Sequence, residues 1–468
     1  MTTTAPAPSP LRNWLAGSLF ALLAFGACWT GAIVSWRSRA GDPGIGELTF
    51  FLLVLPGALL AAALVMRKRL ADTPRAPAGI PARTSHGAQA SAPAAAVLPL
   101  ALLAAAVRSP HGASVEEIVD ALAGNKARPT LDATLVDDDS FPLMTARCTR
   151  ADDAALKTDL EAWLAASALP AQFSDEPERA LLLATQVVAE LAGKAVAALA
   201  PQEGEAPLLH LAPVLPRDWS ADQRAAAIQW LTHTVAQSGW PEQRIVLVPP
   251  SEADLFSTVP AALLAQLATR VPGAQVTAML VACASNIGEA TVQDWTASRA
   301  LFTSSHSAGQ VPGEGAIGLL LTDVAQATTS DGGLFAVVEP VASARLATSA
   351  DDHRGPLPPA LADLVQGALA AAQLQADALV TIVADTGPRR GRMLELMDYA
   401  GKAAPQLDHE KEVVPLGRAS GVCGAVPALT ALALARHYAC ESNGPVLWLT
   451  NDDPFQRCAA VVRPPPVA

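Results

Sequence analysis

The chain has 468 residues and a formal net charge of −12, so it can build two or three domain-sized cores and offers no basic surface to a nucleic acid. Half of it (51%) is hydrophobic but only 4% is aromatic, with 38 prolines, a bias that reflects a GC-rich bacterial gene more than any activity. The six cysteines, Cys28, Cys148, Cys283, Cys423, Cys440 and Cys458, show no Cys-x-x-Cys spacing; they indicate neither a zinc site nor a disulfide framework, and those of the soluble part suit a reducing compartment.

The first predicted element is a membrane anchor over residues 1–69. Residues 14–36 carry no charge over a length that crosses the ~30 Å hydrocarbon core, and Trp14 and Trp36 mark the two ends as interfacial anchors do. A second uncharged run, 48–66, is only slightly short, and its Pro56-Gly57 pair is tolerated inside a membrane helix. A signal peptide is the competing reading of the first run, although small Ala-x-Ala-like residues are absent at its end. Arg67, Lys68, Arg69, Arg75 and Arg83 follow the second run, which predicts a bacterial inner-membrane hairpin with both termini in the cytoplasm. Arg37 and Arg39 in the short loop leave a periplasmic soluble domain as the alternative. Residues 70–96, rich in Pro, Ala and Ser and without periodicity, read as a flexible tether.

Beyond the tether, apolar runs at 97–107, 244–250, 276–284, 316–323, 378–385 and 445–452 read as buried strands. Helices are expected at 114–124, 152–168, 176–199, 220–237, 259–270, 357–374, 391–402 and 425–438. The alternation predicts an α/β fold whose helices cover a largely buried sheet.

The glycine-rich stretch "GQVPGEGAIGLLLTD" (309–323) runs directly into one of these strands, and glycine there lets backbone approach backbone. It lies in a collinear set of motifs. "AVRSPHGASVEEIVDALAGNKARPTLDATLVDDDSFPLMTARC" (106–148), "VTAMLVACASNIG" (276–288), the glycine-rich loop with Gly313 and Gly315, "GVCGAVPALTALALA" (421–435) and "NDDPFQRCAAVV" (451–462) follow one another in the order and spacing of the β-ketoacyl synthases. Residues 97–468 therefore resemble a β-ketoacyl synthase-like domain of the thiolase-like superfamily. The resemblance implies one compact domain of two similar halves in an α/β/α/β/α architecture.

It also implies where a cysteine nucleophile and two histidines should stand, and none is there. The turn after strand 244–250 offers Pro249, Pro250, Ser251 and Asp254 but no cysteine, and a serine at a helix start is far more often a cap. Cys283, in "VACAS", imitates the nucleophile motif in letters only and reads as a buried strand cysteine. The first histidine position holds Asp385, with Thr386 and Gly387 surviving after it; the second, after Gly421, holds Val422, followed by Cys423. The C-terminal loop retains Asn451 and Phe455 alone. Losing nucleophile, oxyanion donors and proton handling together argues against condensation. There is no Gly-x-Ser-x-Gly, Walker A, His-Glu-x-x-His or dinucleotide motif, and His306, His353 and the basic "PRRGR" (388–392) read as solvated surface.

The expectation is a membrane-anchored, catalytically degenerate synthase-like scaffold or adaptor without cofactor or metal. Its partners would be the lipid bilayer, a protein, an acyl-carrier or lipid-like ligand, or a second copy in a homodimer. Two other readings stay open: an acyl-transfer or hydrolytic enzyme that reuses Ser251, Asp254, Asp385 or Cys423, and a non-catalytic partner subunit of an active synthase.

Overall fold

The computed structural model describes residues 96–167, 169–199, 205–248, 259–270, 273–329, 334–351 and 360–465; the expected membrane helices, nearly all of the tether, and Ser251 with Asp254 lie outside them. Its elements run β1 (Ala96–Val97), β2 (Leu100–Arg108), α1 (Val115–Ala123), β3 (Thr130–Val136), β4 (Pro142–Thr145), α2 (Ala154–Ser167), α3 (Asp175–Leu199), β5 (Leu209–Val214), α4 (Ala221–Gln237), β6 (Ile245–Leu247), α5 (Val259–Ala268), β7 (Thr269–Arg270), β8 (Thr277–Ser285), α6 (Glu289–Ala297) and β9 (Glu314–Asp323). They continue with α7 (Val324–Thr329), β10 (Ala336–Val338), β11 (Ala342–Arg345), α8 (Ala360–Ala371), β12 (Thr381–Ala384), α9 (Arg390–Ala403), β13 (Val413–Pro415), α10 (Gly417–Ser420), α11 (Val426–Ser442), β14 (Val446–Thr450) and β15 (Gln456–Arg463).

The main sheet is built twice by one rule. From its inner end outward, the first half reads β2-β9-β8-β5-β6 and the second β10-β15-β14-β12-β13. Numbered within each half, the order is 1-5-4-2-3 in both cases. In both, strand 5 is antiparallel to its neighbours, and strand 2 is parallel to strands 3 and 4. The halves meet where β2 and β10 pair antiparallel, Ala101 opposite Val337.

Three apolar clusters separate the layers, and they follow the period of two along each strand. On β8, Ala278, Leu280, Ala282 and Ala284 face the central cluster, whereas Met279, Val281 and Cys283 face the outer one. On β14, Val446 and Trp448 point to the centre and Leu447 and Leu449 to the opposite outer layer. The central layer holds α5 and α11, with α1 at its side; α3 and α4 cover the first half and α8 and α9 the second. Strands buried on both faces read as continuous apolar runs, which is why the sequence reveals β2, β8, β9 and β14 so clearly. The helix α3 is also the one described helix long and apolar enough to cross a membrane, but Leu181, Leu183, Val187, Val188 and Leu191 pack into the core.

Local signals set the boundaries. Ser114 caps α1 by accepting the Glu117 amide hydrogen at 3.2 Å. Ser220 and Gln223 form a reciprocal capping box on α4. Asn443 ends α11 in the left-handed region, φ 47°. The hairpin of β3 and β4 forms a separate two-stranded sheet. The expected strand at 244–250 is shorter than its apolar run, Ile245–Leu247.

Candidate functional site

Two groups of candidate residues assemble where the loops of the halves meet. The first lies between the glycine-rich loop and the turn before α11. The Val422 amide donates to the Val311 carbonyl at 2.8 Å, and the Gly313 amide donates to the Val422 carbonyl at 3.2 Å. Asn286 adds a side-chain amide hydrogen bond to that same carbonyl at 2.6 Å. A Cβ on Gly313 would stand 2.1 Å from the Ser420 carbonyl oxygen, so only glycine fits; Gly421, at φ 62°, answers from the other side. Gly315 is pressed against the Arg108 carbonyl in the same way, its missing Cβ 2.9 Å from the oxygen. The glycines flagged in the sequence thus serve close backbone approach, Gly313 and Gly421 between the halves and Gly315 within the first half.

Cys423 sits three residues before α11, yet it is buried, and its thiol pKa is pushed up to about 12 by burial and by the charges of Glu314 and Asp452. Cys283, on β8, is also buried, and loss of solvation raises it to about 12. Neither yields a thiolate at neutral pH. Val422 is 36% exposed, but its polar groups are spent on the strand-like pairing.

The second group surrounds the C-terminal end of β12. Asp385 Oδ1 accepts the backbone N–H of Asn451 at 2.7 Å and that of Asp452 at 3.2 Å. Thr386, fully buried, donates its hydroxyl to Asn451 Oδ1 at 2.6 Å, and Asn451 Nδ2 donates to the Arg392 carbonyl at 3.1 Å. The Gly387 amide donates to Asp452 Oδ1 at 3.1 Å, and a side chain at 387 would collide with that carboxylate. Burial and the neighbouring Asp452 raise the Asp385 pKa to about 7, against the pull of the two amide hydrogens and Arg457. Burial raises Asp452 as well, with Arg389 and Arg392 opposing. Phe455 is held elsewhere: its ring lies 5.2 Å from the Arg345 guanidinium and its carbonyl accepts the Leu346 amide.

The segment 416–424 joins the two groups. The Leu416 amide donates to the Ala384 carbonyl, and a Cβ on Gly417 would lie 2.1 Å from the Asp385 carbonyl oxygen. Three residues that sequence reasoning passed over sit here. Asp452 supplies both a backbone donor to Asp385 and a carboxylate beside it. Arg418, the residue after Gly417, is exposed, and among the described residues no hydrogen bond or ion pair holds it. His111, in the turn after β2, places Nε2 2.8 Å from the Ala419 carbonyl. A carbonyl only accepts, so Nε2 carries the proton, and burial lowers the imidazole pKa and keeps it neutral. No local pattern marks Asp452 or Arg418, and the turn residues "SPHG" around His111 mark only a turn.

Of the sequence-predicted site residues, Ser251 and Asp254 lie outside the described residues. Among the described residues no group of three His, Cys, Asp or Glu could hold a metal ion.

No family model matches the sequence, and no curated protein matches it. Solved structures do. The ketosynthase from module 6 of the bacillaene synthase of Bacillus subtilis 168 is similar at a TM-score of 0.51 and 10% identity, over 79% of this chain and 72% of that one. The ketosynthase from module 1 of the bacillaene synthase of Bacillus amyloliquefaciens FZB42 is similar at 0.50 and 13%, over 79% and 73%. The fold is that of the ketosynthases. At such low identity the likeness carries architecture alone, and chemistry has to be argued from the residues present. Within the ketosynthase fold, the end of β12 carries a carboxyl already engaged by two amides, and both thiols discussed above are sealed in apolar packing.

Proposed function

We propose that the domain is a ketosynthase fold that no longer condenses acyl groups and works by binding, as a scaffold or adaptor tied to the bacterial inner membrane by its N-terminal hairpin. The observation that carries this reading is Asp385: where the resembling family places an imidazole, this chain has a carboxyl whose Oδ1 is already engaged by two backbone N–H groups. Two further observations support it. The Cys283 and Cys423 thiols lack both a nearby cation and an open face. The glycine contacts at Gly313 and Gly421 close backbone on backbone at the junction of the halves. The anchor and the cytoplasmic placement rest on the uncharged runs 14–36 and 48–66 and on the arginine and lysine excess after them.

The partner is a protein, an acyl-carrier, or a lipid-like ligand presented at the membrane. Photo-crosslinking in intact membranes, followed by identification of what is captured, should give one discrete adduct from the soluble domain. A chain that captures nothing while its purified form turns over acyl thioesters would overturn the reading. A C-terminal reporter that fluoresces only in the cytoplasm should give signal; a dark fusion beside an active periplasmic reporter would move the domain across the membrane.

A further inference from the structure

The β3–β4 hairpin stands outside the main sheet and turns an apolar face to solvent. Leu131 lies opposite Met144 and Val136 opposite Pro142. Side chains alternate across a strand, so these four share one face, while Leu135 and Leu143 on the other pack against Ile287, Val292 and Leu301. Leu131 is 65% exposed, Val136 46%, and Phe141, at the tip beside Pro142, 64%. A hairpin with one packed face ordinarily turns polar side chains to water on the other. We propose that this face docks a cationic amphipathic helix of a partner protein, apolar along the hairpin and basic at its tip.

The charge of the partner follows from the tip, which is built of Asp137, Asp138 and Asp139. Asp137 Oδ1 accepts the Asp139 and Phe141 amide hydrogens at 3.0 and 2.8 Å, and among the described residues no cation pairs with any of the three carboxylates. Arg147 is spent on the inner face, where its Nε donates to Asp132 Oδ2 at 2.8 Å beside the Thr145 hydroxyl at 2.7 Å. These bonds and the packed inner face hold the hairpin in shape before a partner arrives, so docking has little left to order. Exposed Lys126 and Arg128 precede β3 at the far end, which sets the basic end of the segment at the tip. The seven residues of β3 span about 23 Å at 3.3 Å each, the length of about fifteen helical residues. An anionic bilayer or a nucleic acid would be repelled by the tip, and a second copy of a chain with net charge −12 brings no surplus of cations. The hairpin belongs to the first half and Asp385 to the second, so the proposal is independent of the non-condensing reading.

The probe is a fluorescein-labelled peptide of fifteen residues, a helix with leucines on one face, glutamines on the other and four lysines at one end. Full-length protein in phosphatidylcholine nanodiscs is titrated into it, and the anisotropy is corrected for empty nanodiscs. Binding should saturate and weaken with salt, and the same peptide with glutamates for lysines should bind about tenfold more weakly. Leu131→Ser with Phe141→Ser should weaken binding about tenfold, and Asp138→Asn with Asp139→Asn about fivefold. All four positions are exposed, so the unfolding midpoints should stay where they are. Asp218→Asn with Asp222→Asn, at two exposed carboxylates elsewhere, should leave the affinity unchanged. The proposal is overturned by a lack of saturable binding, by equal binding of the glutamate peptide, or by hairpin variants that bind as the control does. Vesicle binding or self-association of the natural protein that Leu131→Ser with Phe141→Ser abolishes would give the face to a bilayer or to a second copy, and overturn it as well.

Discussion

The fifth strand of each half begins with a buried charge, and the two halves treat it differently. In the first half Glu314 opens β9, and both of its oxygens are engaged: Oε1 accepts from the Cys148 amide at 2.8 Å and from Arg179 Nη2 at 2.7 Å, Oε2 from Arg179 Nε at 2.9 Å and the Ser285 hydroxyl at 2.8 Å. Arg179 extends the chain of charge to Asp152. In the second half Arg457, near the start of β15, has the opposite sign. Its Nε is 3.0 Å from both oxygens of Glu395 on α9, and Nη1 donates to the Asp453 and Gln456 carbonyls, but Nη2 is buried without a partner. Beside it stand Asp385 and Asp452, both raised. The first half has turned its polar end into a satisfied plug. The second keeps unbalanced polarity, an orphan guanidinium nitrogen beside two buried carboxyls.

Breaking the plug should have the largest effect. Glu314→Ala leaves Arg179 charged and the Cys148 amide unpaired in the core, and should cost about 3–5 kcal/mol in denaturant unfolding. A loss below about 1 kcal/mol would remove the distinction between the halves. The comparison sharpens with paired replacements. Glu395→Leu with Arg457→Leu removes both charges and an orphan donor together, so the pair should fall within about 1–2 kcal/mol of the natural protein. Glu314→Leu with Arg179→Leu should cost more, because the buried Cys148 amide and the Ser285 hydroxyl lose the acceptor they share.

A smaller effect is expected from pH. The folded Asp385 pKa, about 7, lies above its unfolded value, so the neutral form favours folding below about pH 4 and that contribution is lost as pH rises through 7. Asp385→Asn keeps an acceptor for the two amides and abolishes the ionisation. The variant should lose about 2–3 kcal/mol less stability than the natural protein between pH 5 and pH 8, with Asp452 supplying the remaining slope. Parallel unfolding curves for the two proteins across that range would show that Asp385 is not the titrating group. The smallest effect belongs to Cys283→Ala, about 1 kcal/mol for a small buried side chain, and the Cys283 thiol should alkylate only as the chain unfolds.

How much of this the sequence discloses depends on how local the cause is. β2, β8, β9 and β14 are visible because both faces are buried, and α1 and α4 announce themselves through Ser114 and Ser220. β5 hides behind His210 and Pro213, and β10, β11 and β13 are three or four residues long, too short for a period of two to register. At the site, Gly313, Gly315 and Gly421 stand out as a cluster with a physical purpose, and Asp385 stands out as a substitution within a resembling motif. Asp452 and His111 acquire meaning from partners 67 and 308 positions away, and no window of sequence holds both ends of such a contact.

The most direct test of the central claim is a condensation assay on the purified full-length protein in nanodiscs, with malonyl and acyl thioesters, for the natural chain and for Cys283→Ala and Cys423→Ala. The account predicts no condensation product from any of the three and no acyl-enzyme on either cysteine. Turnover that disappears with one of these substitutions would place the nucleophile on that sulfur and contradict the account.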